Sequence, residues 1–284
     1  MKRILATLFI CILTSVVSAK ADQETREAGS KPDSVWQKLS DGLELGIFLS
    51  PQLSETGDSM VRVLRIDTAR YQLRLLNASA SKKGRPLSAK EWCRQNELVA
   101  AINASMYQAD LKASVSLMRT KSHINNPRLS KDMAILAFDR NSSDVPRVKI
   151  IDRQCEDFKN WEKRYKTLIQ SIRMISCKGK NVWAQQTQKW STAAVAVDHH
   201  GRVLFIHVGS PYSTHDLINI LKKLPLNIDR AMYVEGGPQA QLYINIGTHE
   251  YEFTGRYKLE LEENVNSFFS RPIPNVVGIS LKKD

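Results

Sequence analysis

"AMYVEGGPQAQLYI", residues 231–244, sets two short apolar runs on either side of an acid and two glycines. Residues 231–234 read as one strand and the second half of the stretch reads as another. Between them stand Glu235, Gly236, Gly237 and Pro238. Glycine admits positive φ and lets a ligand approach the main chain. Successive exposed N–H groups can cradle an anionic oxygen. The stretch therefore reads either as a tight turn or as a binding corner with a carboxylate at its mouth.

The neighbouring text gives the corner its setting. Upstream, "STHDLINILKKL" (213–224) starts with Ser213 three residues before Asp216, a capping pair. Leu217, Ile218, Leu221 and Leu224 then form one stripe, which predicts an amphipathic helix. "AAVAVDHHGRVLFIHV" (193–208) reads as a hairpin. "LIQSIRMIS" (168–176), "MAILAF" (133–138) and "LVAAIN" (98–103) read as buried strands, and "CEDFKNWEKRYK" (155–166) as a helix. "LSAKEWCRQN" (87–96) carries Ser88 and Glu91 at capping-box spacing. Nearer the start, "LELGIFLS", "MVRVLRID" and "YQLRLLNA" suggest a three-stranded meander. Strands outnumber helices, and no repeat or composition break divides the text. The expected fold is α+β: a single domain over residues 36–284 with a mixed, largely antiparallel sheet core and a few covering helices.

The first residues read as an address. Lys2 and Arg3 precede the apolar run "ILATLFICILTSVV", and "VSA" ends it with small residues. Residues 1–19 are expected to be a cleaved secretory signal peptide, with Ala21 an alternative cleavage point and an uncleaved anchor the competing reading. Residues 20–35 read as a flexible polar linker. No second apolar run is long enough to span a membrane, so the mature chain is expected to be secreted or periplasmic. The formal charge of +12 favours anionic partners, or serves solubility alone. The basic residues are scattered and lack aromatic interleaving, so nucleic acid is not the expected ligand.

Three cysteines follow the leader: Cys93, Cys155 and Cys177. No pair has metal-ligand spacing, and no metal or other cofactor is expected. Pairing of Cys155 with Cys177 would clip the predicted helix to the next strand, but Cys93 with either partner is equally open to the sequence. His199 and His200 fall in a hairpin turn. His207 alternates within an apolar strand, as a core histidine would.

Two more places resemble the opening stretch, because polar groups interrupt buried strands where each needs a partner. "AAINASMYQAD" (100–110) places Asn103, Ser105, Tyr107 and Asp110 at a strand end. "LIQSIRMIS" carries Gln170 and Ser171 inside a strand. One shared polar cleft would gather them. Together, "INASMY" (102–107), "QSIRMI" (170–175), "STAAVAVDHHG" (191–201) and "VEGGPQAQLY" (234–243) resemble, in order and spacing, the motifs of the phosphodiester glycosidase family. The resemblance runs over roughly residues 98–281. Its departures are specific: Glu235 stands where the family has aspartate, Gln239 or Ala240 where it has serine, and Thr192 where it has arginine.

The resemblance implies a hydrolase acting on the glycosidic bond of sugar-1-phosphodiesters or related envelope glycans. A catalytically inactive, glycan-binding or envelope-associated protein of the same fold is the alternative. Glu235 would be the carboxylate facing the oxocarbenium-like sugar, and Asn103 would be a catalytic donor. Gly236, Gly237, Ser105, Tyr107, Gln170, Ser171, Thr192 and Gln239 are candidate substrate contacts. Arg173 or His207 would replace the missing positive charge, and Asp110 is a possible second carboxylate. A serine-hydrolase elbow, a P-loop and a dinucleotide fingerprint are all missing from the text.

Overall fold

The computed structural model describes residues 35–82, 84–256 and 270–282. The predicted leader and all but the end of the linker lie outside them. The described residues form one compact unit. The chain begins with β1 (Trp36–Ser40), β2 (Leu43–Leu49), β3 (Met60–Ile66) and β4 (Tyr71–Asn77), followed by α1 (Ala89–Asn96) and β5 (Ala100–Asn103). A middle section holds β6 (Met118–Arg119), β7 (Ile124–Asn126), β8 (Ala134–Arg140), β9 (Val148–Asp152), α2 (Phe158–Glu162) and β10 (Tyr165–Ile175). The last part is β11 (Trp190–Asp198), β12 (Val203–Tyr212), α3 (Thr214–Lys223), β13 (Ile228–Gly236), β14 (Gln241–Ile246), β15 (His249–Thr254) and β16 (Asn275–Leu281).

These strands form two sheets. The larger runs β1-β2-β3-β12-β11-β13-β10-β6-β7, with β8 and β9 branching from β10; the smaller runs β15-β14-β5-β16-β4. The pairings of the described strands are antiparallel. The sheets stack face to face over the main core, where Leu64, Phe205, Val195 and Met232 of the larger meet Leu73, Ile102, Leu242 and Val277 of the smaller. The outer face of the larger sheet is covered by α3, whose Leu217, Ile218 and Leu221 pack on Val63, Ile206 and Tyr233. The outer face of the smaller is covered by α1, through Trp92 and Cys93 against Ala101, Tyr243 and Val276. The result is four layers, helix–sheet–sheet–helix, each helix burying one stripe. No described helix is long and apolar enough to cross a membrane.

Both capping predictions are met. Ser88 accepts from Glu91 N while the Glu91 carboxylate accepts from Ser88 N at 2.8 Å, and Ser213 caps α3 by accepting from Asp216 N. Two local expectations are corrected. The helix read over 155–166 is only the five-residue α2, because Tyr165 and Thr167 are pulled into β10 by pairing with Arg140 and Phe138 of β8. The expected meander breaks after β3: β4 leaves to pair with β16 at the edge of the other sheet. Alternation fits both arrangements equally, so pattern alone does not choose between them.

Candidate active site

β13 lies in the larger sheet and β14 in the smaller, so the Glu-Gly-Gly-Pro stretch is the corner where the chain changes sheets. The two glycines serve different needs. Gly236 is extended, at φ −138° and ψ 167°, a conformation any residue adopts. Its constraint is space: a Cβ there would overlap the Tyr233 hydroxyl and fall 2.8 Å from Trp190 Cδ1. Gly237 has φ +65°, where a side chain is strained. A single 3₁₀ turn, Gly237–Gln239, then delivers the chain to β14.

Glu235 sits at the corner's entry. Pairing with β11 sets it opposite Ala193, with a bulge before Tyr233 pairs with Ala194. Its Oε1 accepts a hydrogen bond from the next residue's amide, Gly236 N, at 3.0 Å. Burial pushes its pKa up to about 7, and the Gly236 bond only partly offsets this. Its residue surface is not fully closed, so solvent still reaches it. The neighbouring Tyr233 phenol is also pushed up, first by burial and then by the Glu235 charge.

The motifs read from sequence do meet, and hydrogen bonds tie them to one another. Asn103 Nδ2 donates to Gln239 O at 2.9 Å and its Oδ1 accepts from Gln241 N at 2.8 Å. The amide therefore clamps both sides of the corner. Ser105 Oγ donates to Gln170 O at 3.0 Å, and Ser171 Oγ donates to Tyr233 O. Gln170 is fully buried; its Oε1 accepts from Leu117 N and Ser130 N, and its Nε2 donates to Ser130 O and Asp132 O. Thr192 is buried opposite Gly236 in the β11–β13 ladder. Most of these polar side chains are thus engaged with main chain, while the Glu235 carboxylate remains at the corner they brace.

Other sequence candidates fall elsewhere. Arg173 donates from Nη1 to both Asp152 oxygens, at 2.7 and 2.9 Å. Asp152 also accepts from Cys177 N, beside the Cys155–Cys177 disulfide, and Cys93 is a buried free thiol. Asp152, Cys155 and Cys177 lie close enough to suggest metal ligands, but the two sulfurs are bonded to each other. Asp110 is an exposed turn residue whose Oδ1 accepts from Lys112 N and Ala113 N, bonds that hold its pKa low. Tyr107 is partly buried and bridges to Ser114.

His207 is buried, its Nε2 3.3 Å from Ala240 O and its ring stacked on Phe253 at 6.1 Å. Burial, then the Arg62 charge, lowers its pKa to about 3, so it is neutral at physiological pH. It lines a cavity of about 520 Å³ with Asp58, Arg62, Glu252, Phe253 and Arg256. Sequence reading passed over Arg62, although one signal was available: a charge on the strand face that Leu64 and Ile66 give to the core.

Comparison with known proteins places this geometry. Residues 96–280 match the phosphodiester glycosidase family. Among solved structures, the chain is similar to the zebrafish N-acetylglucosamine-1-phosphodiester alpha-N-acetylglucosaminidase catalytic domain auto-inhibited by its pro-peptide. The TM-score is 0.58 at 14% identity, covering 87% of this chain and 86% of that one. A hypothetical protein from Synechocystis gives 0.57 at 12% identity, over 87% of this chain and 63% of that one. A Burkholderia pseudomallei protein described as a "putative exported protein" gives 0.52 at 8% identity, over 78% of this chain and 73% of that one. At such identities the structural likeness concerns the fold. No curated sequence gives a significant match. The family match covers the Asn103, Gln170, Thr192 and Glu235 motifs together, and the chain belongs to the phosphodiester glycosidase family, a family of glycosidase-type hydrolases.

Proposed function

We propose that this protein hydrolyses the bond between the anomeric carbon of a sugar and the oxygen of a phosphodiester, with Glu235 as its catalytic carboxylate. One observation carries the reading: an acid at the mouth of a braced glycine corner, with its pKa pushed up to about 7 by burial. Such a group exchanges protons near neutrality, as a general base must. In the reaction, water adds to the anomeric carbon as the bond from that carbon to the bridging phosphodiester oxygen breaks. The electron pair leaves with the phosphate, which departs as a phosphomonoester, and the water's proton passes to Glu235. The phosphate is already a good leaving group and needs little protonation. Charge stabilisation of the oxocarbenium-like sugar by the same carboxylate supplies the rest.

The substrate class, sugar-1-phosphodiesters or related envelope glycans, follows the family and the basic charge of the chain. Secretion through a leader over residues 1–19 is supported by the Cys155–Cys177 disulfide, which suits an oxidising compartment. Release of free sugar from N-acetylglucosamine-1-phosphate diesters by the wild type, and its loss in Glu235→Gln, is the test.

A second reading has its own observation. Asn103, Ser105, Gln170 and Ser171 are engaged with main chain, and threonine stands at 192. A glycan-binding protein that kept the corner and lost turnover would show saturable binding without product.

A further inference from the structure

We infer that the cavity bounded by Arg62, His207 and Arg256 is the subsite that holds the phosphate and the alcohol it carries, on the leaving-group side of Glu235. The inference rests on the proposed reaction only for naming that ligand a leaving group. Three observations carry it.

The first is register. Glu235 pairs with Ala193, Ala193 with His207, and His207 with Arg62, one row across four successive strands. Strands lie about 4.8 Å apart, which puts His207 roughly 10 Å from Glu235 along the row. A phosphate bonded to a sugar at Glu235 spans much of that distance. Two residues that line the cavity also bond toward the corner. His207 Nε2 contacts Ala240 O, and Arg256 N donates at 3.1 Å to Ser191 Oγ, next to Thr192 opposite Gly236.

The second is an unpartnered polar atom. His207 is 1% exposed and lines the cavity, yet its buried Nδ1 has no hydrogen-bond partner. A buried polar nitrogen left this way is costly unless something else meets it. Nε2–H donates to Ala240 O, so in the neutral ring Nδ1 is the acceptor nitrogen and can take a hydrogen bond from a hydroxyl group of the attached alcohol.

The third is the charge set. Arg62 is held in place by Asp58 and over the Phe253 ring, 5.0 Å from its centroid. Arg256 adds a second guanidinium at the cavity wall. Two forked donors suit a phosphate. Asp58 and Glu252 are partly occupied, by Arg62 and Lys90, and offer acceptors to hydroxyl groups of the attached alcohol. Arg62 and Asp58 lie outside the matched residues 96–280, so the family match alone does not supply them.

The test is binding of glucose 6-phosphate, a hexose phosphomonoester, with glucose and inorganic phosphate in parallel. Titration calorimetry is combined with long-range ¹H–¹⁵N spectra of ¹⁵N-histidine-labelled protein. The expected result is saturable binding of glucose 6-phosphate, tighter than that of glucose, with a shift of the His207 Nδ1 signal. Arg62→Met and Arg256→Met should each weaken it about tenfold or more, and Glu235→Gln should leave it intact. Arg256 lies just beyond the end of β15 and outside the core clusters, so its variant decides the question if Arg62→Met does not fold. An unmoved His207 signal, unchanged affinity in the arginine variants, or equal affinity for glucose would overturn the subsite. Binding with these features but no hydrolysis of any phosphodiester would sink the proposed reaction and leave the subsite standing. Hydrolysis with a silent His207 and unchanged KM in both arginine variants would do the reverse.

Discussion

At Glu235 the fold and the proposed chemistry bear on the same few atoms. Its folded-state pKa, about 7, lies above its ordinary value of 4.5, so folding favours the protonated form. The associated stability is fully present below about pH 4.5 and is lost as pH rises through about 7. Glu235→Gln carries no charge at any pH. It should therefore match the wild type near pH 4.5 and exceed it at pH 8 by about 1–3 kcal/mol, read by denaturant unfolding. Activity should run the other way. A base must be deprotonated, so kcat/KM should climb through a midpoint near 7 and level off above pH 8. A flat profile between pH 5 and 9 would remove Glu235 from proton transfer. Gly236 makes a second residue-level prediction. Gly236→Ala drives a methyl into the Tyr233 hydroxyl, and Tyr233→Phe in the same chain should restore part of the lost thermal stability, as a shift in Tm. The place of Glu235, at a strand end before glycines, was legible; the reason for Gly236 was not, because Tyr233 and Trp190 meet it only in the folded chain.

At the scale of elements, the corner between β13 and β14 is fixed by a side chain from β5. Asn103→Ala would leave Gln241 N and Gln239 O without their partner in a buried setting, at a cost of about 1–3 kcal/mol in unfolding experiments. The account also predicts that hydrolysis falls more than stability does, since the clamp positions Glu235's neighbours. Asn103→Asp, which keeps the acceptor toward Gln241 N, should recover part of the stability. The helices were legible through their caps and apolar stripes. Strand partners were not: β4 and β14 carry the same alternation as β3 and β13 but belong to the other sheet. Their sorting is decided by long-range pairing, above all with β16 and β5, whose contribution no local pattern reveals.

Across the whole molecule, four layers place the glycine corner at a junction of the two sheets, held by the large core between them. The Cys155–Cys177 bridge closes a loop with a sequence separation of 22. Loop-closure entropy for such a length gives about 3 kcal/mol. Reduction should lower Tm and release two titratable thiols beyond the buried Cys93; no change in Tm would mean the bridge contributes nothing to the fold. Arg173, read from sequence as a possible substrate cation, is instead bound to Asp152 beside that bridge. The strand position was legible, but the distant carboxylate that claims it was not. The same holds for Arg62, whose proposed part depends on His207 in the next strand and on Arg256, which follows β15 of the other sheet.

The most direct measurement is sugar release from N-acetylglucosamine-1-phosphate diesters by wild type and Glu235→Gln, followed from pH 5 to 9. The account predicts release by the wild type with a midpoint near pH 7, and none by a variant that remains folded. Equal release by both proteins would contradict it.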